Sequence, residues 1–262
     1  MKIGLIGTGT IGKLLLEKIN SERIFTNHYI TSVLDEREKS KETLSKLSKA
    51  YHFSAFHDVH SFLKSGIDFI VECANIAAVQ TYAATMLREK DMLIISVGAL
   101  MDEQRLDELT AIAKTNQTKL YLPSGAIGGL ETIQAAHMLG GLHTVTLNTR
   151  KPAHALTKKP VTKATTIFAG PAKDAIKKYP QNANVAITLS LAGLGVNETQ
   201  VKIIADPNID KNIHTIHASG EFGMLDFTLT NNPLPTNPKT SYLTALSILS
   251  AIKSLDQCVI IG

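Results

Sequence analysis

The sequence predicts an α/β fold in two parts: an amino-terminal doubly wound parallel sheet and a carboxy-terminal α/β domain with an open mixed sheet. Short β-rich runs alternate with longer amphipathic patterns in the first half, as in parallel sheets covered by helices. The texture changes after Pro123, where threonine- and valine-rich runs interrupted by glycines favour antiparallel strands.

The first half contains five candidate strands, each short enough to be a buried strand of a parallel sheet. They are Lys2 to Ile6, Tyr29 to Leu34, Ile67 to Glu72, Met92 to Val97 and Lys119 to Leu122. Three stretches between them carry apolar residues at spacings of three and four, which is typical of amphipathic helices. They are Ile11 to Asn20, Ala77 to Glu89 and Asp102 to Thr115. We therefore assign residues 1–123 to a first domain.

The second half begins with a glycine-rich turn and a predicted helix from Leu130 to Leu139. Four further runs are predicted to form strands, the last of them divided by Gly220 and Gly223. They are His143 to Thr149, Thr165 to Ala169, Gln200 to Ala205 and Asn212 to Leu229. The lysine-rich stretch from Arg150 to Lys163 is predicted to be a loop.

The last helix is predicted from a proline and its neighbour. Asn237 and Pro238 suit the cap and the first position of a helix that runs to about Lys253. We expect this terminal segment, 238–262, to complete the first domain, which leaves 124–237 as the second domain.

Composition is that of an ordinary globular protein of 262 residues, 44% of them apolar. The net charge of +4 is dispersed, which favours small anionic ligands over nucleic acid. The chain has two distant cysteines, and it has no apolar run near the roughly 20 residues of a membrane helix. We expect a cytoplasmic protein without a membrane partner. His52, His57 and His60 lack companions at ligand spacing, so no metal site is expected.

A glycine motif lies between the first predicted strand and the first predicted helix. Gly7, Gly9 and Gly12 form a complete GxGxxG with Thr10 and Ile11 inside it. The first glycine permits a tight turn, the second lets the backbone approach a pyrophosphate, and the third lets helix and strand pack closely. In this context the motif predicts a Rossmann-like dinucleotide site, although glycines chosen only for packing are the alternative.

An acidic residue ends the second predicted strand. Asp35 follows Gly12 by 23 positions, close to where a carboxylate holds the adenosine ribose in such sites. This position favours NAD, because a 2′-phosphate would be repelled. Arg37 is near enough to meet that phosphate, so NADP stays open, and a plain turn residue is the alternative for Asp35.

Strings in the second half carry a family resemblance. They are PSGAIGGLE at 123–131, TRKP at 149–152, NVAITLSLAGLG at 184–195, ADPNIDKNIH at 205–214 and NPKTS at 237–241. Together with the glycine motif and SVGAL at 96–100, they resemble the L-aspartate dehydrogenase family. The resemblance implies oxidation of L-aspartate by NAD or NADP to iminoaspartate, which yields oxaloacetate and ammonia or feeds NAD biosynthesis. It also implies a homodimer, with substrate binding, catalysis and dimerisation in the second domain.

The resemblance assigns site residues in the second half. The family's catalytic histidine falls on His214, and its cofactor contacts fall on Ala126 and Asn184. A histidine suits this chemistry, because its ordinary pKa of about 6.5 allows proton transfer near neutrality. Strand alternation places His217 on the opposite face, and a structural histidine is the alternative for His214. Ile187 and Glu131 depart from the family pattern, as does the single proline of TRKPAH.

A dicarboxylate substrate also needs donors and cations. We expect Lys239 and Thr240 to bind it at the start of the last predicted helix, where simple capping is the alternative. Arg150 and Lys151 are further candidates of the same kind. Two other functions stay open: a related dehydrogenase acting on another small amino acid or imine, and a dinucleotide-binding sensor without catalysis.

Overall fold

The computed structural model describes residues 1–37, 40–158, 160–180, 183–235 and 237–259. The chain divides into two compact units. The first comprises Met1–Pro123 and Ala251–Asp256, and the second comprises Ser124–Ser250 and the residues from Gln257. The boundary falls inside the last helix. The roles expected for the two domains stay predictions.

The first unit is built on a six-stranded parallel sheet with the strand order β3-β2-β1-β4-β5-β6. Its strands are β1 (Lys2–Ile6), β2 (Tyr29–Leu34), β3 (Ser54–Phe56), β4 (Phe69–Glu72), β5 (Asp91–Ile94) and β6 (Leu120–Tyr121). The order is that of a doubly wound sheet, and it confirms the predicted fold class. The sequence pattern did not reveal β3, which has only three residues.

Helices connect these strands and cover the sheet. They are α1 (Thr10–Leu16), which continues as a π-helical turn (Glu17–Ser21), α2 (Lys41–Tyr51), α3 (Val59–Leu63), α4 (Ile76–Leu87), a 3₁₀ turn (Val97–Leu100) and α5 (Glu103–Asn116). The central strands are buried throughout: the four residues of β4 and the last four of β1 are all inaccessible to solvent. Burial on both faces explains why these strands read as continuous apolar runs.

The second unit is built on a five-stranded sheet with the order β11-β10-β7-β9-β8. Its strands are β7 (Leu142–Pro152), β8 (Thr165–Pro171), β9 (Gln200–Asp206), β10 (Asn212–Gly220) and β11 (Gly223–Asn231). The central pair, β7 and β9, is parallel, and the other neighbours are antiparallel. The predicted open mixed sheet is therefore confirmed, including the hairpin that Gly220 and Gly223 delimit.

The remaining elements of the second unit are short except for the last helix. They are α6 (Leu130–His137), α7 (Ala153–Leu156), α8 (Ala172–Lys178), α9 (Ala183–Ala192), α10 (Gly195–Glu198), the strands β12 (Pro233–Leu234) and β13 (Asn237–Ser241), and α11 (Tyr242–Ser254). One face of β10 is buried, with Ile216 and Ala218 in the core, whereas His217 on the other face is exposed. Within the described residues, no helix is both long and apolar enough to cross a membrane.

Two sequence predictions for this unit were wrong. The stretch predicted as a loop begins with the end of β7 and continues into α7, because Arg150, Lys151 and Pro152 pair with β9. The last helix starts at Tyr242 instead of Pro238. Residues Asn237–Ser241 instead pair with β12 as a strand, and this pairing outweighs the local capping preference of Asn237 and Pro238.

Candidate functional site

The glycine turn joins β1 to α1 and leaves no room for side chains at two positions. Gly7 has a φ of +95°, and a Cβ there would lie 2.7 Å from the Cα of Ala74. A Cβ on Gly12 would lie 2.2 Å from the carbonyl oxygen of Gly7. The turn, the first helical turn and the segment after β4 therefore pack with their backbones in direct contact, which only glycine permits.

Gly9 differs from its two neighbours in the motif. No atom lies within 4 Å of the position that a Cβ on Gly9 would occupy. Gly9 precedes α1, its carbonyl accepts the N–H of Lys13 at 2.9 Å, and Thr10 and Ile11 form the first helical turn. The space beside Gly9 is what the close approach of a pyrophosphate requires.

A cavity of about 270 Å³ opens at the carboxyl ends of β1, β2 and β4. Ligands of open α/β sheets bind at this edge, where the strand order reverses. The lining comes from three segments that follow these strands: residues 6–9 with the glycine turn, 34–37 with Asp35, and 73–82. Gly7, Gly9 and Asp35 line it, whereas Thr10, Ile11 and Gly12 belong to the first turn of α1.

Asp35 is buried at the end of β2 and is held by its neighbour. Its carboxylate accepts hydrogen bonds from Arg37 Nε at 2.9 Å and Nη2 at 2.6 Å, and from the Arg37 backbone N–H at 3.1 Å. Burial acts to raise the pKa of Asp35, but the bonds from Arg37 outweigh it and hold the pKa below its ordinary value. The carboxylate is therefore charged at neutral pH, as a ribose acceptor must be.

A tyrosine and a glutamate meet at the same end of the cavity. Tyr82 on α4 donates its hydroxyl to Glu36 at 2.5 Å, and both residues line the cavity. Burial and the Glu36 carboxylate raise the pKa of Tyr82 to about 12, so the phenol keeps its proton. Sequence reasoning did not single out either residue, because an ordinary helix position carries no signal of a partner 46 residues away.

A buried carboxylate fixes the segments that follow β4 and β5. Glu72 is inaccessible to solvent and accepts hydrogen bonds from Ala74 N–H at 2.7 Å, Ser96 N–H at 3.1 Å and Ser96 Oγ at 2.8 Å. Burial raises its pKa. Since Ala74 abuts Gly7, Glu72 also holds the wall against which the glycine turn packs. The sequence signal that could have identified Glu72 is an acidic residue at the end of an otherwise apolar strand.

His214 lies on the buried face of β10 in the second unit. Its side chain is only 3% exposed, and its Nδ1 shares a hydrogen bond of 3.0 Å with Thr149 Oγ1 on β7. Burial, reinforced by the charge of Lys151, lowers the pKa of His214 to about 3. The imidazole is therefore neutral at physiological pH and able to accept a proton. His217 lies on the exposed face, as predicted, and pairs with Asp226.

The two adjacent basic residues of β7 point to opposite faces of the sheet. Arg150 is bound to the buried carboxylate of Asp206, with Nε at 2.5 Å. Lys151 shares the face of Thr149 and His214, and burial lowers its pKa to about 8. Of the two, Lys151 is the one whose charge reaches His214.

The other predicted residues of the second unit lie in three places. Ala126 is buried in the segment after β6, where its carbonyl accepts the side-chain amide of Asn231 at 3.0 Å. Asn184 is exposed in the first turn of α9. Thr240 lies in β13 and not at a helix start, since α11 begins at Tyr242. Its hydroxyl accepts a hydrogen bond from Asn237 Nδ2 at 3.2 Å. Lys239 belongs to the same strand, and its side chain is outside the described part of the chain.

The residues of the first unit fit a nicotinamide dinucleotide. The open space at Gly9 accommodates a pyrophosphate, and the ionised Asp35 supplies an acceptor for ribose hydroxyls. The cavity connects both positions along one edge of the sheet.

Two known families match the chain, one over its first half and one over its second half. The family described as "Homoserine dehydrogenase, NAD binding domain" matches residues 7–123. The family described as "Aspartate dehydrogenase, C-terminal" matches residues 132–255.

Similar proteins extend these matches over the full length. The L-aspartate dehydrogenase of Methanosarcina barkeri is 39% identical over 274 aligned residues, covering 100% of this chain and 99% of the relative. That of Cupriavidus taiwanensis is 36% identical and covers 96% of each chain. The crystal structure of aspartate dehydrogenase from Thermotoga maritima matches with a TM-score of 0.81 at 30% identity, covering 100% of this chain and 99% of the other. The chain therefore belongs to the L-aspartate dehydrogenase family of NAD(P)-dependent oxidoreductases.

Proposed function

We propose that this protein catalyses the reversible oxidative deamination of L-aspartate to iminoaspartate, which hydrolyses to oxaloacetate and ammonia. The observation that carries the proposal is the neutral, buried imidazole of His214 in a chain that matches L-aspartate dehydrogenases from end to end. An amino-acid dehydrogenase needs such a proton acceptor beside its substrate.

The chain's own groups have distinct roles in this reaction. When bound, NAD⁺ or NADP⁺ supplies the hydride acceptor, and C2 of the substrate loses the hydride. His214 takes the proton of the water that attacks the resulting imine carbon and passes it to the amino nitrogen. The C–N bond then breaks to release ammonia as the hydroxyl loses its proton and the C=O bond of oxaloacetate forms. Thr149 fixes the orientation of the imidazole through its 3.0 Å hydrogen bond to Nδ1, which leaves Nε2 for proton transfer.

The two ends of the cofactor site have separate roles in the proposal. Gly7, Gly9 and Gly12 receive the pyrophosphate, with Thr10 and Ile11 in the helical turn beside it. Asp35 accepts the ribose hydroxyls and favours NAD over NADP, since its charge opposes a 2′-phosphate. Ala126 and Asn184 are proposed as further cofactor contacts from the family resemblance, and Lys239 and Thr240 are proposed as substrate contacts for the ammonium and the hydroxyl that they offer. For these last two, the absence of a helix start at Pro238 removes the physical argument from a helix dipole.

Three further proposals concern the protein's context. The family resemblance supports a homodimer and a product that feeds NAD biosynthesis, and the composition of the chain supports a location in the cytoplasm. Sedimentation velocity checks the first of these, with an expected mass of twice the chain's 28.3 kDa.

A substrate panel tests the proposed reaction. Purified protein is mixed with NAD⁺ or NADP⁺ and with L-aspartate, L-glutamate, L-homoserine or L-alanine, and the absorbance of the reduced nicotinamide is followed. We expect turnover with L-aspartate to exceed that with the other substrates. Turnover with a different amino acid instead favours a related dehydrogenase, and cofactor binding without any turnover favours a sensor.

A further inference from the structure

A hydrogen bond between two side chains joins two of the segments that line the cavity of the first unit. Glu36 directly follows Asp35 after β2, and Tyr82 lies on α4. The Tyr82 hydroxyl donates to Glu36 Oε2 at 2.5 Å, and all three residues line the cavity. The carboxylate of Glu36 is therefore held at the cavity next to Asp35.

The backbone before Glu36 is fixed by the neighbouring strand. The N–H of Asp35 donates to the carbonyl oxygen of Phe56 at 3.1 Å, and the carbonyl oxygen of Asp35 accepts a hydrogen bond from His57 Nδ1 at 2.9 Å. Phe56 ends β3, and His57 directly follows it. Glu36 is thus held through its backbone by β3 and through its carboxylate by α4, which limits the freedom that an exposed glutamate usually has.

The two adjacent carboxylates have partners of different charge. Asp35 accepts two hydrogen bonds from the guanidinium of Arg37, which compensates much of its negative charge. Glu36 is bonded instead by the phenol of Tyr82, which stays neutral because its pKa is raised to about 12. A neutral donor orients a carboxylate but does not compensate its charge. Of these two carboxylates, Glu36 therefore presents the less compensated charge to the cavity.

We propose that Glu36, oriented by Tyr82, opposes the 2′-phosphate of NADP and thereby determines the preference of this site for NAD. The inference rests on the proposed binding of the adenosine ribose by Asp35, because NADP carries its additional phosphate on a hydroxyl of that ribose. In this division of roles, Asp35 accepts ribose hydroxyls and Glu36 is the specificity-determining residue.

Electrostatic repulsion has a property that distinguishes it from a structural role. A phosphomonoester carries nearly two negative charges at neutral pH, so a nearby carboxylate repels it, whereas a ribose hydroxyl is not repelled. Glu36 is exposed, and salt screens interactions between exposed charges. A preference that Glu36 sets through its charge therefore weakens as the salt concentration rises.

Fluorescence titration with NADH and with NADPH, in the absence of substrate, tests the inference. Glu36→Gln removes the charge but keeps an oxygen that can accept the Tyr82 hydroxyl. We expect the Kd for NADPH to fall at least about fivefold in this variant, while the Kd for NADH stays within about twofold. Raising NaCl from about 20 mM to about 500 mM should reduce the wild-type preference for NADH more than that of the variant.

A second variant tests the part of Tyr82. Tyr82→Phe leaves the charge of Glu36 in place but removes its donor, so the Kd for NADPH should fall by about twofold to threefold, less than in Glu36→Gln. Because Tyr82 acts through Glu36, the double variant should gain no more NADPH affinity than Glu36→Gln alone. An NADPH affinity of Tyr82→Phe equal to that of wild type would overturn the role of Tyr82.

A matched control separates a local charge from net charge. Glu89→Gln makes the same change of charge, and Glu89 is exposed between α4 and the start of β5, at the edge of the sheet opposite the cavity. Both Kd values should stay within about twofold of wild type in this control. An equal fall of the NADPH Kd in Glu89→Gln and Glu36→Gln would overturn the inference.

The remaining outcomes separate this inference from the proposed function. An unchanged Kd for NADPH in Glu36→Gln, an equal fall for both cofactors, or tighter wild-type binding of NADPH than of NADH overturns the role of Glu36. Wild-type protein that binds neither cofactor contradicts the proposed cofactor site as well. Discrimination that depends on Glu36 in a protein that does not oxidise L-aspartate supports this inference and contradicts the proposed reaction.

Discussion

His214 illustrates how burial and a neighbouring charge set the state of one residue. Both the loss of solvent and the ammonium of Lys151 disfavour the imidazolium, and the hydrogen bond to Thr149 holds the neutral ring in one orientation. The same burial that suits the residue to proton transfer makes it sensitive to acid. This sensitivity can be measured without knowing the substrate.

The pH dependence of stability follows from the sign of the shift. The pKa of His214 is about 3 in the folded protein, below its ordinary value of 6.5, so the unfolded chain binds the proton first as the pH falls. Stability contributed by this residue is therefore present above pH 6.5 and is lost progressively toward pH 3. Between pH 7 and pH 5 the loss should be about 2 kcal/mol.

Urea unfolding at both pH values checks this prediction. His214→Asn should lose about 2 kcal/mol less than wild type over the interval. Equal losses in wild type and His214→Asn would mean that folding does not lower the pKa of His214.

Asp35 and Arg37 are expected to divide the preference between the two cofactors. Asp35→Ala removes a charged acceptor, which should raise the Kd for NAD⁺ by about tenfold or more. It also releases Arg37 from the ion pair that now occupies it, so the Kd for NADP⁺ should stay unchanged or fall. Titration calorimetry with both cofactors measures the difference. Arg37→Gln is the complementary variant and should weaken NADP⁺ alone, while equal weakening of both cofactors by Asp35→Ala would exclude the ribose role.

The side chains of Arg150 and Lys151 mark a limit of sequence reasoning at this scale. The sequence indicated both as candidates of equal weight, because adjacent basic residues in a predicted loop have no defined faces. Only the register of β7 against β9 and β10 decides that Arg150 meets Asp206 and Lys151 faces His214. The places of the glycine motif and of Asp35 beside one cavity, in contrast, follow from their spacing, since both depend only on the succession of β1, α1 and β2. Their roles toward a cofactor stay predictions.

Among the structural elements, the glycine turn offers a test that separates folding from binding. Gly12→Ala places a Cβ 2.2 Å from the Gly7 carbonyl and should cost about 1–3 kcal/mol of stability. Gly9→Ala meets no atom within 4 Å and has a φ of −70°, so its stability should change by less than about 1 kcal/mol. Because the proposed site places the pyrophosphate in that space, Gly9→Ala should still weaken NADH binding at least about tenfold.

Chemical unfolding and NADH titration on the two variants provide the measurements. Ser54→Ala is the control, because Ser54 is exposed and lies outside the cavity lining. Gly66→Ala is unsuitable, because Gly66 has a φ of +78°. Unaltered NADH affinity in Gly9→Ala would place the pyrophosphate elsewhere.

Strands whose bounds depend on the local sequence pattern were predicted correctly. A strand that depends on pairing with another segment was not. The bounds of β1 and β2 were predicted without error, since Gly7 directly follows the first strand and Asp35 directly follows the second. The strand β13 was predicted as the start of a helix, because Asn237 and Pro238 form a good local cap. In the structure it pairs with β12, Pro233–Leu234, as a hairpin. The prolines in and after β12 leave that segment without a strand signal in the sequence.

In the whole molecule, the two units contain different parts of the proposed catalytic machinery. The first unit contains the cavity, the glycine turn and Asp35, and its fold alone would suit many dehydrogenases. The scyllo-inositol dehydrogenase of Lactobacillus casei is similar in fold over 99% of this chain, at a TM-score of 0.56 and only 12% identity. The second unit contains His214 and Lys151, and its family match separates this chain from such neighbours.

Deuterium labelling tests the proposal that this protein removes a hydride from C2 of L-aspartate. L-[2-²H]aspartate is incubated with NAD⁺ and the protein, and the reduced cofactor is examined by mass spectrometry, with His214→Asn as the comparison. We expect NADH that carries one deuterium per oxaloacetate formed, at a rate lower by about 100-fold or more in the variant. Oxaloacetate formed without deuterium in the cofactor, or no oxidation of L-aspartate by the wild-type protein, would contradict it.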